Sequence, residues 1–179
     1  MKNKILIASI IVAAIILIFI FFELTKKQKT FTIEFKNITF EFRINPKLTK
    51  NIKVENQTIL EEVCNIVRNF QFNNYTIVFS ENDDLASIAL VSFEMVYKLT
   101  YGLKKLYGIN AKFSGLAVKD FEFKKDLNTF YLILKSFKIS NQTIIKAKLP
   151  NIIEINAANK DDLEIAGVKV ILCILGIKI

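Results

Sequence analysis

The sequence predicts an α+β protein: one N-terminal transmembrane helix, then a single domain of mostly antiparallel sheet with about three helices packed on it. Three observations predict this class. Residues 5–22 form an uncharged apolar run of 18 residues. Several short segments alternate apolar and polar residues, as half-buried strands do. Three longer segments are apolar enough, or periodic enough, to form helices on such a sheet.

The N-terminal run predicts a retained signal anchor. At about 1.5 Å per residue it spans about 27 Å, close to the roughly 30 Å hydrocarbon core of a bilayer. A cleaved signal peptide has a shorter apolar region followed by small residues, but here Phe21, Phe22 and Leu24 occupy that position. We therefore expect a signal anchor at residues 1–23 that contacts the lipid bilayer through residues 5–22. We expect a linker at residues 24–30 and one domain at residues 31–179 after it.

The orientation of the domain rests on two features, because the lysines flanking the run are nearly balanced under the positive-inside rule. An apolar run at the extreme N-terminus is the usual layout of an anchor that exports the domain behind it. The sequence also contains four Asn-x-Thr glycosylation motifs, which begin at Asn37, Asn56, Asn74 and Asn141. Asn and Thr also concentrate in turns, which is the alternative explanation. We expect a single-pass protein of the cell membrane whose C-terminal domain is extracytoplasmic.

The first half of the domain predicts a hairpin or bulged strand, a helix, a strand and a long helix. The run FTIEFKNITFEF changes its alternation at Lys36 and Asn37, which indicates a tight hairpin or a β-bulge. A helix then begins at a capping box of Thr58 and Glu61. The strand YTIVFS precedes a helix over about residues 85–106, which is apolar on most faces and is expected to be central and buried.

The second half predicts three strand runs and a final helix. The runs are LAVKDFEF, TFYLILKSFKI and TIIKAKLPNIIEIN, and the short turns between the last two favour an antiparallel meander. Pro150 should break or bulge the third run, or mark it as an edge. The helix over about residues 162–177 contains Lys169 within a short apolar core, so it is not a second membrane span.

Composition excludes several classes of protein. The chain has no histidine, which removes Ser-His-Asp triads and His-ligated metal sites, and its five glycines form no nucleotide-binding motif. We expect no cofactor and no resident metal. Beyond residue 23, 23 basic and 16 acidic residues leave a net charge of +7. These lysines are not interleaved with aromatic residues, so we expect no nucleic-acid partner.

Two similar acidic turns are the candidate sites. Each follows a strand and precedes a helix, and together they contain Glu81, Asp83, Asp84, Asp161 and Asp162. If these carboxylates met at one end of the sheet, they could bind a hard cation or act as a paired-carboxylate hydrolase. The simpler interpretation is that Asn and Asp in these turns cap the helices after them, and this interpretation is preferred.

Cysteines and tyrosines each allow two interpretations. Cys64 and Cys173 both fall in apolar surroundings and are interpreted as small buried side chains, with a disulfide between them as the alternative. Tyr97, Tyr101 and Tyr107 could form an aromatic binding surface, although the first two, four residues apart on a helix, more often rim a core.

The N-terminal anchor, the Lys/Ile/Asn-rich composition and the four Asn-x-Thr motifs together resemble small single-pass membrane-anchored proteins of AT-rich archaea. The resemblance covers no catalytic motif and implies no activity. We therefore expect a non-enzymatic binding or structural component of the cell envelope. Its partner would be an envelope protein or polysaccharide, or a second copy of the chain. The alternative is a carboxylate-dependent hydrolase or cation-binding domain that uses residues 81–84 and 161–162.

Overall fold

A computed structural model describes residues 30–179, which begin with a β-hairpin. Strands β1 (Phe31–Phe35) and β2 (Ile38–Phe42) pair antiparallel, and Lys36 and Asn37 between them both have positive φ. Two consecutive residues with positive φ form the turn that matches the twist of a two-residue hairpin. The change of alternation in the sequence is therefore a tight hairpin and not a bulge.

After the hairpin, helices and strands alternate for most of the chain. In order, the elements are a 3-10 helix (Pro46–Asn51), α1 (Gln57–Asn69), β3 (Asn74–Ser80), α2 (Leu85–Tyr107), β4 (Phe113–Val118), β5 (Thr129–Lys135), β6 (Ile144–Lys148), β7 (Ile152–Asn156) and α3 (Lys160–Leu175).

The second sheet is mixed and mainly parallel, so the prediction of an α+β fold with mostly antiparallel strands is wrong. Its strand order is β4-β3-β5-β7-β6; β4, β3, β5 and β7 are parallel, and β6 alone runs antiparallel, beside β7. α2 carries the chain from the end of β3 back to the start of β4, which makes these two neighbours parallel. β6 lies at the edge, and β7 turns back from it to pair with β5. The domain is an α/β fold.

Pro150 explains why the last strand run is two strands. The Leu149–Pro150 peptide bond is cis and lies in the turn between β6 and β7. The sequence indicated a break at this position, but the break is a complete reversal of the chain. The run predicted over residues 116–123 likewise ends early, because β4 stops at Val118.

The expectation of a transmembrane protein also needs correction. Among residues 30–179, none of the helices combines the length and the apolar character that crossing a bilayer requires. The anchor predicted at residues 5–22 lies outside the described residues. The architecture that the structure shows is the α/β domain.

The helices pack on one face of the sheet. Leu132, Leu134 and Ile153 are fully buried there, in one apolar core with residues of all three helices. The β1–β2 hairpin lies against α2, where the Phe40 and Tyr101 rings meet edge to face with centroids 6.2 Å apart. The opposite face of the sheet is covered in part by Phe121 and Phe123 of the segment after β4, which cross it instead of extending the strand.

Helix ends and close helix packing follow from single residues. α1 begins at Gln57 because the Asn56 side chain accepts a hydrogen bond from the Ile59 N–H, so the predicted capping box at Thr58 is wrong by two residues. α2 ends at Tyr107, and the residue after it, Gly108, has the left-handed conformation that favours glycine. α2 and α3 approach so closely that a Cβ at Gly102 would lie 2.6 Å from the Leu175 side chain.

A disulfide joins α1 to α3. It links Cys64 and Cys173, whose Cα atoms are 5.9 Å apart, and it is the pairing that the sequence left as the alternative. Next to it, the Arg68 guanidinium donates a hydrogen bond to the Cys173 carbonyl oxygen near the C-terminal end of α3. The cross-link closes a long loop, since the two cysteines are 109 positions apart in the sequence. It therefore restricts the unfolded chain strongly.

We expect removal of this disulfide to lower the free energy of unfolding by about 2–5 kcal/mol, because the unfolded chain regains the entropy that the cross-link removes. The measurement is urea denaturation of the parent protein and of the Cys64→Ser/Cys173→Ser variant. Reductant should lower the midpoint of the parent and leave that of the variant unchanged. Equal midpoints for both proteins without reductant would contradict the prediction.

Candidate binding surface

The first acidic turn is tied to the end of a neighbouring strand. Asp83 is buried, with 3% of its surface exposed. One carboxylate oxygen accepts a hydrogen bond from the Ser136 N–H at 3.0 Å, and the other accepts from the Ser136 hydroxyl and from the Asp84 N–H. Asp83 therefore fastens the turn after β3 to the residue that follows β5.

The second acidic turn makes the corresponding contact at the other end of the same loop. The Asp162 carboxylate accepts hydrogen bonds from the Thr143 hydroxyl and the Asn159 side-chain amide. The two acidic turns thus hold the two ends of residues 136–143, the loop between β5 and β6. The residue that caps α3 is Asn159, whose side-chain oxygen accepts a hydrogen bond from the Asp162 N–H. Neither aspartate of this turn is the cap.

The structure does not bring the two turns together. β5 separates β3 from β7, so the turns leave the sheet about 10 Å apart, two strand spacings. Asp84 accepts a hydrogen bond from the Ser87 hydroxyl, while Glu81 and Asp161 are exposed. Within residues 30–179, no three His, Cys, Asp or Glu side chains are arranged so that they could hold a metal ion. A cation site or a catalytic pair at these turns remains a prediction without a supporting contact.

The four asparagines of the glycosylation motifs are all exposed: Asn37, Asn56, Asn74 and Asn141. Asn37 lies in the hairpin turn, and Asn56 caps α1 through its side-chain oxygen. Asn74 is the first residue of β3, and Asn141 lies in the loop before β6. Glycosylation at these four asparagines stays a prediction.

Strand β4 forms an open edge of the five-stranded sheet. Its inner side pairs with β3, and no other strand among residues 30–179 pairs with its outer side. The Lys112 and Val118 carbonyl oxygens accept hydrogen bonds from the β3 side. Because alternate residues of a strand direct their main-chain groups to opposite sides, those of Phe113, Gly115 and Ala117 point away from the sheet. The sequence FSGLAV contains no charge and no proline, the residues that usually guard such an edge.

The opposite edge of the same sheet is closed. The Ile145 N–H of β6 donates to the Lys53 carbonyl oxygen at 2.9 Å, and its carbonyl oxygen accepts from the Glu55 N–H at 2.9 Å. Lys146 of β6 also pairs with Glu55 at 3.6 Å. Within residues 30–179, the chain therefore covers one edge with its own backbone and a charged pair, and it gives the outer side of β4 neither protection.

An apolar groove runs beside the open edge, between β4 and α2. It encloses a volume of about 400 Å³. Gly115 forms part of the wall of the groove and has no side chain to fill it. A Cβ at this position would meet only the Phe79 ring, at 3.6 Å. Most of the residues that line the groove are apolar; they come from β3 (Ile77 and Phe79), α2 (Leu85, Ile88, Ala89, Ser92 and Val96) and β4 (Phe113, Ser114 and Gly115).

The outer face of α2 continues this apolar surface. Leu85, Phe93 and Tyr97 are 50%, 74% and 66% exposed. The expectation that α2 is buried on most faces is therefore wrong for its outer face. The other two tyrosines make contacts within the domain. The Tyr101 ring packs against the Phe40 ring, and the Tyr107 hydroxyl donates a 2.7 Å hydrogen bond to the Leu175 carbonyl oxygen. Large apolar patches on a surface mark interaction sites.

A second cleft, of about 600 Å³, lies beside the disulfide between α1 and the end of α3. Two of its basic side chains, those of Lys169 and Arg68, make hydrogen bonds within the fold. The Lys169 ammonium donates a 2.8 Å hydrogen bond to the Ile52 carbonyl oxygen, and burial lowers the pKa of Lys169. Arg68 is held by the Cys173 carbonyl oxygen. The contacts in this cleft connect elements of the domain to each other.

No protein-family model, no curated protein and no solved structure matches this chain. The candidate surface is therefore defined by the geometry of the fold alone: an open strand, an apolar groove beside it and an exposed apolar helix face.

We expect Asp83→Ala to lower the free energy of unfolding by about 2–4 kcal/mol, because it leaves the buried Ser136 donors without an acceptor. Glu81→Ala, in the same turn but exposed, should change it by no more than about 0.5 kcal/mol. Thermal and urea unfolding of the two variants provide the measurement. Similar small effects for both would show that the Asp83–Ser136 contact does not stabilise the fold.

Proposed function

We propose that residues 30–179 are a non-enzymatic binding domain that adds an extended segment of an envelope protein to the open edge of β4. The observation that carries the proposal is the juxtaposition of an unguarded edge strand with an apolar groove. In this mode of recognition, main-chain hydrogen bonds give affinity and pockets for alternate side chains give specificity.

The main chain of β4 supplies the first part of such a site. Phe113, Gly115 and Ala117 direct N–H and C=O groups outward, so an added strand finds a repeating row of donors and acceptors. Ser114, Gly115, Leu116 and Ala117 are all exposed, so an incoming chain meets no described segment along this stretch.

The groove supplies the second part. Phe113, Gly115 and Ala117 pair in register with Tyr75, Ile77 and Phe79, whose side chains face the helices. Alternate side chains of a strand added beside Gly115 therefore point into the groove between β4 and α2. Its lining is apolar, and the partner segment should carry apolar residues at every second position.

A location outside the cytoplasm suits the same proposal. The disulfide between Cys64 and Cys173 is of the kind that persists in oxidising compartments and is rare in the cytosol. The exposed asparagines of the four glycosylation motifs are compatible with that location. The hydrolase or cation-binding alternative has less support, since Asp83 and Asp162 both accept hydrogen bonds from neutral donors of the fold.

The proposal predicts that the purified full-length chain selects, from random seven-residue peptides, sequences with apolar residues at alternate positions. Gly115→Val should weaken the binding of a selected peptide roughly tenfold or more, because its side chain fills the groove. Gly115→Pro should also weaken the binding of this peptide, because proline lacks the outward N–H that the peptide would bond. The hydrogen bonds between β4 and β3 are kept. Titration calorimetry provides the measurement.

Thr32→Val is the matched control, since it places valine on an exposed position of β1, away from the groove, without changing charge. It should bind the peptide as the parent does, and all variants should keep the thermal midpoint of the parent within a few degrees. Selection of peptides with no alternation, or equal binding by Gly115→Val and the parent, would contradict the proposal.

A further inference from the structure

We infer that the segment added to β4 runs antiparallel to it and ends there in its own C-terminal carboxylate, which Lys104 and Lys112 bind. This inference rests on the proposed function and specifies its partner: the free C-terminal tail of another protein.

A polar pocket of about 600 Å³ lies at the N-terminal end of β4. Lys104 of α2 and Lys112, just before β4, contribute its two charges, and both are exposed. No acidic side chain lines it among residues 30–179. The remaining polar side chains are neutral hydrogen-bonding groups, those of Gln71, Asn73, Thr100 and Asn110. Two ammonium groups among neutral side chains, with no carboxylate in the described lining to neutralise them, suit a bound carboxylate.

This pocket lies next to the apolar groove along α2 and β4. On α2, Val96 lines the groove, and Thr100, one helical turn further along, lines the pocket. On the strand side, Phe113 lines the groove, and the residue before it, Lys112, lines the pocket. A ligand that lies along β4 with its side chains in the groove therefore reaches the lysines at one end.

The connection between α2 and β4 also lies at this pocket. Residues 108–112 form the connection, and residues 110–112 contribute to the lining of the pocket. Gln71 fixes this connection, accepting from the Asn110 N–H at 3.1 Å and donating to the Asn110 carbonyl oxygen at 3.2 Å. This fixed connection beside the two lysines favours a ligand whose chain stops there over one that continues past it.

Charge then decides the direction of the added strand. An antiparallel segment places its C-terminus at the start of β4, beside Lys112, whereas a parallel segment would place its N-terminal ammonium there against two lysines. Self-pairing of β4 is disfavoured for a related reason. Lys112 and Lys119 flank β4, and antiparallel pairing of two copies would bring these like charges near each other.

Two formats of the same random peptide library test the inference with the full-length chain: one displays seven residues with a free C-terminus, and the other displays them between flanking segments. We expect enrichment only from the free C-terminal format. Equal enrichment from both formats would overturn the inference and leave the proposed function standing. Enrichment from neither would overturn both.

A selected peptide, resynthesised with a C-terminal amide, should bind roughly tenfold more weakly than the free acid. Lys104→Gln/Lys112→Gln should weaken the free acid by a similar factor and leave the amide nearly unaffected. Lys105→Gln, which removes an exposed charge next to the pocket but not in its lining, is the control and should bind as the parent does. Loss of affinity for acid and amide alike in the double variant would show that the lysines do not bind the carboxylate.

A nitroxide label gives the direction of the strand independently. Attached near the C-terminal end of the peptide, it should broaden the amide signals of residues 111–113, and attached at the N-terminal end, those of residues 117–119. The reverse pattern would contradict the antiparallel orientation.

Discussion

Every buried main-chain N–H and C=O group of a strand needs a hydrogen-bond partner, and this requirement organises the domain. β3 and β5 satisfy both of their sides within the sheet, which places them at its centre under the helices. β6 satisfies its outer side with residues 53–55. β4 alone among the strands of this sheet has no described partner strand on its outer side, and the apolar groove lies beside that row of solvent-exposed main-chain groups. The location of the proposed site therefore follows from the way in which the rest of the sheet is completed.

The sequence predicted most elements but not the direction of the strands. Local patterns predicted α2, α3 and a change of direction or a bulge at Lys36 and Asn37, which is the hairpin turn. Strand direction depends on which elements become neighbours, and no local pattern encodes that. One signal did favour a parallel sheet: NYTIVFS and TFYLILK are nearly continuous apolar runs, as expected for strands covered on both faces. The antiparallel prediction gave more weight to the short turn between the last two strand runs. That turn joins β5 to β6, which are not neighbours in the sheet.

The acidic residues stood out in the sequence because carboxylates are the usual chemistry of a chain without histidine, yet the structure uses Asp83 and Asp162 to hold a loop. The proposed site consists instead of a glycine, main-chain groups and apolar side chains, which carry no chemical signature. Two signals could have indicated it. FSGLAV lacks the charges that guard an edge strand, and Phe93 and Tyr97 lie on a helix whose first half carries almost no charge on any face. Only the structure shows that these features are adjacent.

Amide hydrogen exchange of the free full-length protein is the sharpest test of an open β4, because it reports on each edge of the sheet separately. If β4 is open, the amides of Gly115 and Ala117, which point outward, exchange rapidly. Those of Leu116, directed at β3, and Ile145, bonded to the Lys53 carbonyl oxygen, should exchange slowly. Slow exchange at Gly115 and Ala117, equal to that at Ile145, would show that β4 is already covered and would contradict the proposed binding edge.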